Sequence, residues 1–277
     1  MKIVSFNVNS IRKRLESGQL RKLVEKHQPA VIGLQETKVQ DNDFPLEAVN
    51  KLGYQVAFIG EPTHYGVALM VREDAYEMLD ICKGFPNEKQ DTQSRLIEAR
   101  LPLKDGRNLF VINGYFPNGE IRSHEYKFPY KQRFYARIVK YMEEKFKQDD
   151  LVAVIGDMNI SPRDADIGIG EENRLRWLKQ GKCSFLPEER EMLAKLMGWG
   201  LHDTFLKRQK DDDANYSWFD YRSRGFERDP KRGLRIDLIL ASNPLNDLCT
   251  DSGIDYDIRS MPSPSDHAPV WSSFDIE

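Results

Sequence analysis

The sequence predicts a mixed α/β fold in which sheets pack face to face and helices cover their outer sides. Short runs rich in Val, Ile and Phe recur along the chain and have the length of buried strands. Between some of them, apolar residues repeat at helical spacing. Because strands and helices do not alternate strictly, stacked layers are favoured over a sheet wound from βαβ units. No linker rich in Pro, Gly or Ser interrupts the chain, so we expect one domain over residues 1–277.

The predicted strands are apolar runs, most of which stop at a polar residue or a glycine. In chain order they are Lys2–Phe6, Ala30–Leu34, Tyr54–Ile59, Val67–Val71, Leu109–Ile112, Leu151–Ile155, Arg235–Leu240 and Pro269–Phe274. A helix of about five turns is predicted from an apolar residue at every fourth position. Its stripe consists of Phe134, Ile138, Met142 and Phe146. A further helix is predicted to begin at Pro187, because proline and the following glutamates suit a helix N-terminus.

Bulk charge neither supports nor excludes a nucleic-acid partner. Charged residues make up 31% of the chain, and the formal net charge is −3. Phosphate contacts come from Lys and Arg, so a DNA-binding protein of this composition must concentrate its positive charge on one face.

The cysteines indicate a reducing compartment. Cys82, Cys183 and Cys249 are far apart, odd in number and include no CxxC pair, which argues against a disulfide framework or a zinc site. The N-terminus has the pattern of a strand and lacks the apolar segment of a signal peptide, and we find no apolar run long enough for a membrane span. We therefore expect a cytoplasmic protein.

Polar residues that end or interrupt the apolar runs are the informative feature of the sequence. They are Asn7, Asn9, Glu36, Tyr115, Asp157, Asn159, Asp237, Asp266 and His267. A polar group at the end of a buried strand is costly unless it is hydrogen-bonded or binds a metal. An oxygen-rich set of this kind suits Mg²⁺. Taken singly, each residue also has an ordinary explanation: a strand-end Asn or Asp often forms a turn, and Asp237 fits a buried acid paired with an arginine.

Longer motifs around these positions carry a resemblance to a known family. They are SFNVNSIR at Ser5–Arg12, IGLQETKV at Ile32–Val39, HYGVAL at His64–Leu69, INGYFPNGE at Ile112–Glu120, GDMNISP at Gly156–Pro162, GIGEENR at Gly168–Arg174, GKCSFLPEERE at Gly181–Glu191, SWFDYRS at Ser217–Ser223, GLRIDL at Gly233–Leu238 and SDHAPVW at Ser265–Trp271. From Lys2 to about Phe274 the chain resembles the bacterial exonuclease III family, within the exonuclease–endonuclease–phosphatase superfamily that includes DNase I.

The resemblance implies a fold and an activity. The fold would be a DNase I-like, four-layered α/β sandwich, with two central, mostly antiparallel sheets flanked by helices. The activity would be repair of DNA by metal-dependent hydrolysis of phosphodiesters: incision 5′ of abasic sites, 3′→5′ exonuclease action and removal of 3′ phosphates. Mg²⁺ would be the cofactor, with Mn²⁺ able to substitute. The partner would be duplex DNA with abasic sites or blocked 3′ ends, and we expect a monomer because no heptad or extended apolar helix face is present.

The resemblance also implies a role for each strand-end residue. Glu36 would be the principal metal ligand, and Asn9 and Asp266 would help to hold metal-bound water. Asp157 would orient or deprotonate the attacking water. Further catalytic contacts are implied for Asn7, Asn159, Tyr115 and for His267 held by Asp237. Which group is the general base stays open, because a carboxyl with an ordinary pKa of about 3.9 is a weak base at neutral pH.

Basic and aromatic residues downstream predict the DNA contacts. Basic clusters are Arg12-Lys13-Arg14, Lys127 with Lys131 and Arg133, and a run from Arg222 to Arg235. Their ordinary explanation is solvated surface charge. Beside a phosphodiesterase site, however, a surface that binds the phosphate backbone of DNA is favoured. By resemblance, the DNA contacts are Trp218, Leu234, Ile236, Arg95, Asn118, Arg222 and Arg235. The first three would line a pocket for a baseless sugar. Asn118 departs from the glutamine of the family pattern, and the 208–216 segment is expected to be a variable loop.

Two alternatives remain open at the level of sequence. The first is another phosphodiesterase or phosphatase of the same superfamily, acting on inositol phosphates, sphingomyelin or a nucleotide; activity that does not require duplex DNA would favour it. The second is a catalytically silent DNA-binding protein, which the complete set of expected residue types argues against.

Overall fold

The chain folds into strands and helices that do not alternate strictly along the sequence. The computed structural model describes residues 1–86, 93–207 and 215–276. Its strands are β1 (Lys2–Asn7), β2 (Val31–Gln35), β3 (Tyr54–Ile59), β4 (Val67–Arg72), β5 (Leu79–Lys83), β6 (Leu96–Pro102), β7 (Asn108–Tyr115), β8 (Leu151–Asp157), β9 (Leu201–Asp203), β10 (Asp237–Ser242), β11 (Cys249–Ile254) and β12 (Val270–Phe274). Its helices are α1 (Ile11–Glu16), α2 (Gln19–His27), α3 (Leu46–Asn50), α4 (Lys127–Lys145), α5 (Glu171–Gln180), α6 (Pro187–Met197), α7 (Asn243–Asp247) and α8 (Tyr256–Arg259).

The strands form two sheets. Within the described residues each sheet has six strands, in the orders β11-β12-β1-β2-β4-β3 and β5-β6-β7-β8-β10-β9. One neighbouring pair in each sheet is parallel, β1 with β2 and β7 with β8, and the other pairs with an assigned register are antiparallel. This arrangement confirms the mostly antiparallel pair of sheets that the resemblance implied.

Successive side chains on the central strands point to opposite faces, and this alternation produces the layers. Ile3 of β1 and Val111 of β7 meet in one core between the two sheets. The next residue on each strand faces outward, so Val4 packs with α1 and α2, and Ile112 packs with α4 and α6. Helix, sheet, sheet and helix therefore form the four layers expected of the fold.

The two predicted helices are present. α4 has 19 residues, and its stripe of Phe134, Ile138 and Met142 is buried against β7 and β8. Phe146 follows the last residue of α4 and is also buried. α6 begins at Pro187 as predicted. The helices in the described part of the chain are too short or too polar to cross a bilayer.

Several strands were not predicted, and they lack a clean apolar run. β5 lies at a sheet edge and leaves Ile81 45% exposed. β6 contains a buried glutamate, Glu98, whose carboxylate accepts hydrogen bonds from Tyr141 and Lys145 of α4. These partners are distant in sequence, so local composition does not reveal the strand. The expected variable loop at 208–216 falls largely on residues 208–214, which lie outside the described residues.

A buried carboxylate, that of Asp255, forms hydrogen bonds with residues of both α2 and α8. The Asp255 side chain is 0% exposed and accepts hydrogen bonds from Lys26 Nζ at 2.9 Å and from the Ile258 backbone N–H at 3.1 Å. His27 Nε2 lies 2.6 Å from its other oxygen. Burial alone would raise the pKa of Asp255, but hydrogen bonds from His27 and Lys26 lower it well below its ordinary 3.8. The group therefore stabilises the folded state when it is ionised.

Replacing Asp255 with asparagine is expected to lower the free energy of unfolding by on the order of 2 kcal/mol at neutral pH. Because the folded pKa is depressed, the contribution is fully present above the unfolded pKa of about 3.9 and disappears as pH falls through the folded value. Urea unfolding from pH 7 down to pH 2 should therefore show a constant difference between the two proteins down to about pH 4 and a narrowing difference below it. Asp257→Asn, at a carboxylate that is 86% exposed and also contacts Lys26, serves as the control. A difference that does not change with pH would contradict the assignment.

Candidate active site

The polar residues predicted at strand ends lie along one edge of the two sheets. β1 and β2 run parallel, so Asn7 at the end of β1 lies near Glu36, which directly follows β2. In the other sheet, β7 and β8 also run parallel, and Tyr115 pairs in register with Asp157. β10 is antiparallel and begins at Asp237, opposite Asp157. Two parallel pairs and the start of one antiparallel strand thus bring these side chains together.

The turns that leave this edge have a backbone conformation that side-chain-bearing residues seldom adopt. Asn9, Glu36 and Asn159 have φ values of 40°, 57° and 52°. Left-handed backbone at residues other than glycine is uncommon and concentrates at functional sites. Their side chains contact Asp266, Asn7 and Asn118, respectively, at this edge of the sheets.

Asp157 is held by a buried network of amides. Its Oδ2 accepts a hydrogen bond from Asn7 Nδ2 at 3.0 Å, and its Oδ1 accepts one from the Asn159 backbone N–H at 2.9 Å. The same Asn7 amide donates to Glu36 Oε2 at 3.1 Å. Burial raises the pKa of Asp157 above its ordinary 3.8, although the nearby His267 works in the opposite direction. A carboxylate with a raised pKa is a better proton acceptor than an exposed one.

His267 and Asp237 form a buried pair beside this network. His267 Nδ1 lies 2.8 Å from Asp237 Oδ2, and Nε2 lies 3.8 Å from Asp157 Oδ2. Burial alone would lower the pKa of His267, but the charge and hydrogen bond of Asp237, with Asp157 and Asp266 nearby, raise it to about 10. The ring is therefore an imidazolium at neutral pH, and a cation next to a cavity favours an anionic ligand.

A second set of oxygens converges on a cation. Lys38 Nζ lies 2.8 Å from Glu36 Oε1 and 2.6 Å from Asn9 Oδ1. Asn9 Nδ2 in turn donates to Asp266 Oδ1 at 2.9 Å. Carboxylate and amide oxygens are the donors that hard divalent ions prefer. The ammonium group between Glu36 and Asn9 shows that their oxygens can share one positive ion, so the predicted ligands fit a metal.

A further group of metal donors lies in the neighbouring part of the cluster. Asp157, Asp237 and His267 bring one ligand atom each within 4.8 Å of one another, a spacing at which they could hold a metal ion. In the structure His267 Nδ1 is hydrogen-bonded to Asp237. Because a protonated imidazole cannot coordinate a metal, this group could hold an ion only with His267 neutral, and the oxygens of Glu36, Asn9 and Asp266 are the better fit.

Glu36, Asp157, Asp266 and His267 line a cavity of about 320 Å³ that has polar and apolar walls. The polar wall includes Glu36, Asp157 and His267, and the apolar wall is formed by Trp218, Leu234 and Ile236. Trp218 pairs through isolated bridges with both Leu234 and His267, which fixes the distance between the walls. Its indole Nε1 also donates to Asp266 Oδ2 at 3.1 Å. The cavity can therefore hold a ligand with one charged and one apolar part.

Tyr115 and Asn118 extend the polar wall. Asp157 and Glu36 lie close to the Tyr115 phenol, and burial, the largest effect, raises its pKa well above the ordinary 10. The hydroxyl therefore remains a hydrogen-bond donor. Asn118 Nδ2 donates to Asn159 Oδ1 at 2.8 Å. The asparagine that departs from the family pattern thus supports the Asp157 network directly.

A buried ion pair joins three loops of the site. Lys131 Nζ donates to Glu189 Oε1 at 2.5 Å and to the carbonyls of Asn118 and Asn159 at 3.1 and 2.9 Å. The other oxygen of Glu189 accepts hydrogen bonds from the Ser184 and Leu186 backbone N–H groups, at 2.8 Å each. Neither side chain of the pair is exposed. Lys131 thereby holds the backbone on either side of the cavity.

Some residues predicted to contact DNA have other partners. Arg235 is 1% exposed, and its guanidinium lies 2.7 Å from both Asp166 and Asp203, so the structure is at odds with a surface contact for it. Lys131 and Arg14 of the predicted basic clusters are buried as well, at 0% and 2% exposure. Burying these cations is favourable only because each meets opposite charge, carbonyls or aromatic groups, all of them distant in sequence.

Arg95 is also buried, and it supports Tyr115. Its guanidinium carbon lies 4.1 Å from the ring centroid of Tyr65 and 4.8 Å from that of Tyr115, and Nη1 donates to the Tyr115 carbonyl at 3.0 Å. In contrast, Arg222 is exposed, as the prediction of a DNA contact requires. The predicted aromatic cluster divides: Tyr216 and Phe219 pack with Phe226, while Trp218 lines the cavity.

The sequence analysis missed Lys38, which contacts Glu36, and four residues that line the cavity: Trp177, Lys182, Cys183 and Ser184. Lys38 lies within the Ile32–Val39 motif, but nothing in the neighbouring sequence indicates that it forms an ion pair with Glu36. Trp177 and Lys182 also line the cavity, and Lys182 Nζ lies 3.6 Å from the centroid of the Trp177 ring. Trp177 belongs to α5, and Lys182 lies two residues after the helix ends. The apolar pattern of this helix does not indicate that one of its faces borders the cavity.

Known proteins share this fold and much of this sequence. Residues 4–267 match the Endonuclease/Exonuclease/phosphatase family. Over 99% of its length the chain is 52% identical to exodeoxyribonuclease III of Haemophilus influenzae, and it covers 100% of that protein. An AP endonuclease from Archaeoglobus fulgidus superposes with a TM-score of 0.87 at 31% identity, with 100% of each chain covered. The 3′ phosphatase NExo from Neisseria, bound to a product DNA hairpin, gives a TM-score of 0.87 at 33% identity and 99% coverage of each chain.

Fold, site and full-length identity lead to the same assignment. The matched region contains Asn7 and every polar residue that lines the cavity, from Glu36 to His267, and the relatives extend over nearly the whole chain. The chain therefore belongs to the endonuclease/exonuclease/phosphatase family, and within it to the hydrolases of the exodeoxyribonuclease III type.

Proposed function

We propose that this enzyme repairs DNA by hydrolysing phosphodiesters in duplex substrates, with incision 5′ of abasic sites and removal of nucleotides or phosphates from 3′ ends. One observation carries the proposal: a single cavity joins an Asp157 network, a charged His267–Asp237 pair and an apolar wall. The polar wall suits a phosphate, and the apolar wall suits a sugar without a base.

Asp157 is assigned to the attacking water. Its two oxygens accept hydrogen bonds from Asn7 and Asn159, which fixes the carboxylate, and its raised pKa favours proton abstraction. The water oxygen bonds to phosphorus as the bond from phosphorus to the 3′ oxygen breaks. Asn7 and Asn159 act by positioning the carboxylate and the water.

Glu36, Asn9 and Asp266 are assigned to a divalent ion, Mg²⁺ with Mn²⁺ as a substitute. When bound, such an ion neutralises charge on the phosphate and stabilises the leaving oxygen. Lys38, which contacts two of these residues, keeps their oxygens together before an ion binds. The choice of Mg²⁺ follows from the oxygen-only donor set.

His267, Tyr115 and Asn118 are assigned to the phosphate. The imidazolium of His267 donates from Nε2 to a non-bridging oxygen and stabilises the extra charge of the transition state, while Asp237 maintains its orientation. Tyr115 donates to the phosphate or to the leaving 3′ oxygen. Asn118 contributes a contact to the DNA backbone beside them.

Substrate choice is assigned to Trp218, Leu234 and Ile236. An abasic deoxyribose that leaves the helix fits between these apolar side chains. An intact nucleotide inside a duplex must break its pairing and stacking before it can enter, so it is excluded more strongly than an abasic sugar. The exposed basic residues near Arg222 would bind the phosphates of the flanking duplex. With DNA as the substrate, a cytoplasmic monomer remains our proposal.

The first test is incision of a labelled duplex that carries one abasic-site analogue, with Mg²⁺ and with EDTA, beside an intact blunt duplex. We expect a cut immediately 5′ of the analogue, progressive 3′ shortening of the blunt duplex, and loss of both in EDTA. Phosphate monoesters and inositol phosphates are the comparison substrates. Cleavage of those compounds without cleavage of either duplex would reject the proposed substrate.

Binding of the duplex is expected to weaken steeply with salt, since phosphate contacts release counterions. If Arg222 contacts a phosphate, Arg222→Gln should reduce the slope of log affinity against log salt by about 1. Lys22→Gln, at an exposed lysine on α2, should leave the slope unchanged. Fluorescence anisotropy of a labelled duplex, in EDTA and over a range of salt concentrations, measures the slope for each variant. Equal slopes for the Arg222 variant and the wild type would remove Arg222 from the interface.

A further inference from the structure

A second cavity adjoins the first and shares two of its walls. It has a volume of about 150 Å³, and Trp177 and Trp218 line both cavities. A cavity of about this volume can hold one six-membered aromatic ring. Arg176, Arg228 and Arg232 line it as well, together with Asp220.

The two indole walls are held in fixed orientations. Trp177 stacks on Phe185 with the ring planes 6° apart, and Lys182 Nζ lies 3.6 Å from the centroid of its ring. Trp218 is fixed by its hydrogen bond to Asp266. Because Trp177 is already in contact with Phe185 and Lys182, Trp218 is the ring on which a base would stack. A rigid aromatic ring bordered by arginines is the combination that binds unpaired bases, because every base has a flat π face and its phosphate is anionic.

The chemistry of the reaction indicates which base would enter. Abasic-site incision and exonuclease action break the same bond, between phosphorus and the 3′ oxygen of the preceding nucleotide. The sugar on the phosphate side of that bond therefore occupies the same pocket in both reactions. In the exonuclease reaction this sugar also carries a base at C1′, and the base needs a place beside the apolar wall.

We propose that the second cavity binds the base of the 3′-terminal nucleotide that the exonuclease reaction removes. The inference rests on the proposed assignment of the Trp218, Leu234 and Ile236 wall to the sugar. Water adds to phosphorus, the bond to the 3′ oxygen breaks, and that oxygen takes the proton, so the product is a nucleoside 5′-monophosphate with its base in the second cavity. A terminal base has a stacking neighbour on one side only, so it reaches the cavity at lower cost than an internal base.

Filling the second cavity should separate the two activities. Ser223 lines the cavity and is exposed, and its hydroxyl donates to the Asp220 carbonyl at 3.2 Å. We expect Ser223→Trp to lower the ratio of exonuclease rate to abasic-incision rate by about tenfold, the size of one lost base-stacking contact. Single-turnover rates on a blunt duplex and on an abasic duplex provide the ratio.

Ser260→Trp is the matched control. Ser260 is also exposed, and its hydroxyl donates to the Asp257 carbonyl, three residues earlier, at 2.8 Å. This variant should keep the wild-type ratio. A Ser223→Trp ratio within about twofold of wild type would overturn the proposal, and so would an equal loss of both activities. If the wild type does not incise the abasic duplex at all, the proposed function fails independently of the cavity.

A second measurement uses the unaltered protein. dCMP and 2-deoxyribose 5-phosphate share a phosphate and a sugar, and only dCMP carries a base. We expect dCMP to inhibit abasic-site incision at about tenfold lower concentration than the sugar phosphate. Equal inhibition by the two compounds would overturn the proposal without requiring any variant to fold.

Discussion

Replacement of Asp157 with asparagine is expected to slow phosphodiester cleavage by about 10²–10⁴-fold and to leave duplex binding nearly unchanged. Asparagine has the same shape, and its side-chain oxygen can still accept a hydrogen bond from Asn7 or from the Asn159 backbone. It cannot take the proton of the attacking water. Single-turnover incision of an abasic duplex with Mg²⁺, together with binding in EDTA, separates the chemical step from affinity.

The control for this variant is Asp74→Asn. Asp74 is 82% exposed and pairs with Arg72 at the end of β4, so its replacement should change neither rate nor affinity. Asp157→Asn cleaving at the wild-type rate would remove Asp157 from the mechanism. A large loss of binding by the same variant would mean that the carboxylate organises the site and does not act on the water.

Replacement of Lys131 with methionine is expected to lower the free energy of unfolding by about 3–5 kcal/mol, because it leaves the Glu189 carboxylate buried without its cation. The carbonyls of Asn118 and Asn159 also lose their donor. Since these carbonyls belong to loops of the active site, the folded fraction of the variant should also cleave more slowly. Urea unfolding provides the stability, and incision at a temperature where the variant remains folded provides the rate.

Lys140→Met is the matched control on the same helix. Lys140 also faces a glutamate, Glu144, but the two side chains are 71% and 66% exposed. Exposed pairs contribute about 0–1 kcal/mol, so this variant should unfold close to wild type. A Lys131 variant that is equally stable would show that the buried pair does not hold the loops together.

The central strands and the site could be read from local patterns. Lys2–Phe6 and Leu151–Ile155 are apolar runs that end at polar residues, and in the structure β1 and β8 end at Asn7 and Asp157. The hydrogen bond between those two side chains joins the sheets at the predicted edge. A buried strand that ends in a polar group leaves a signal in sequence because burial of that group without a partner is costly. This is why the strand-end residues could be singled out before their geometry was known.

The burial of charged side chains could not be predicted from local sequence patterns. Arg235 and Lys131 have the composition of DNA-binding surface, but each lies in the interior beside carboxylates that are distant in the chain. Glu98 likewise interrupts β6 and pairs with Lys145 of α4. A lysine or arginine is stable in the interior only when such partners are present, and the partners are brought together by folding.

By itself, the sequence determined the fold class, the family and the identities of the polar-wall residues, because these depend on hydrophobic patterning and on motifs that are contiguous in the chain. The tertiary structure alone decided which cations face solvent, that Lys38 bridges Glu36 and Asn9, and that Trp177 and Trp218 separate two cavities. These features depend on distances between segments far apart in sequence. Such distances are set by the packing of whole layers, and no local pattern encodes them.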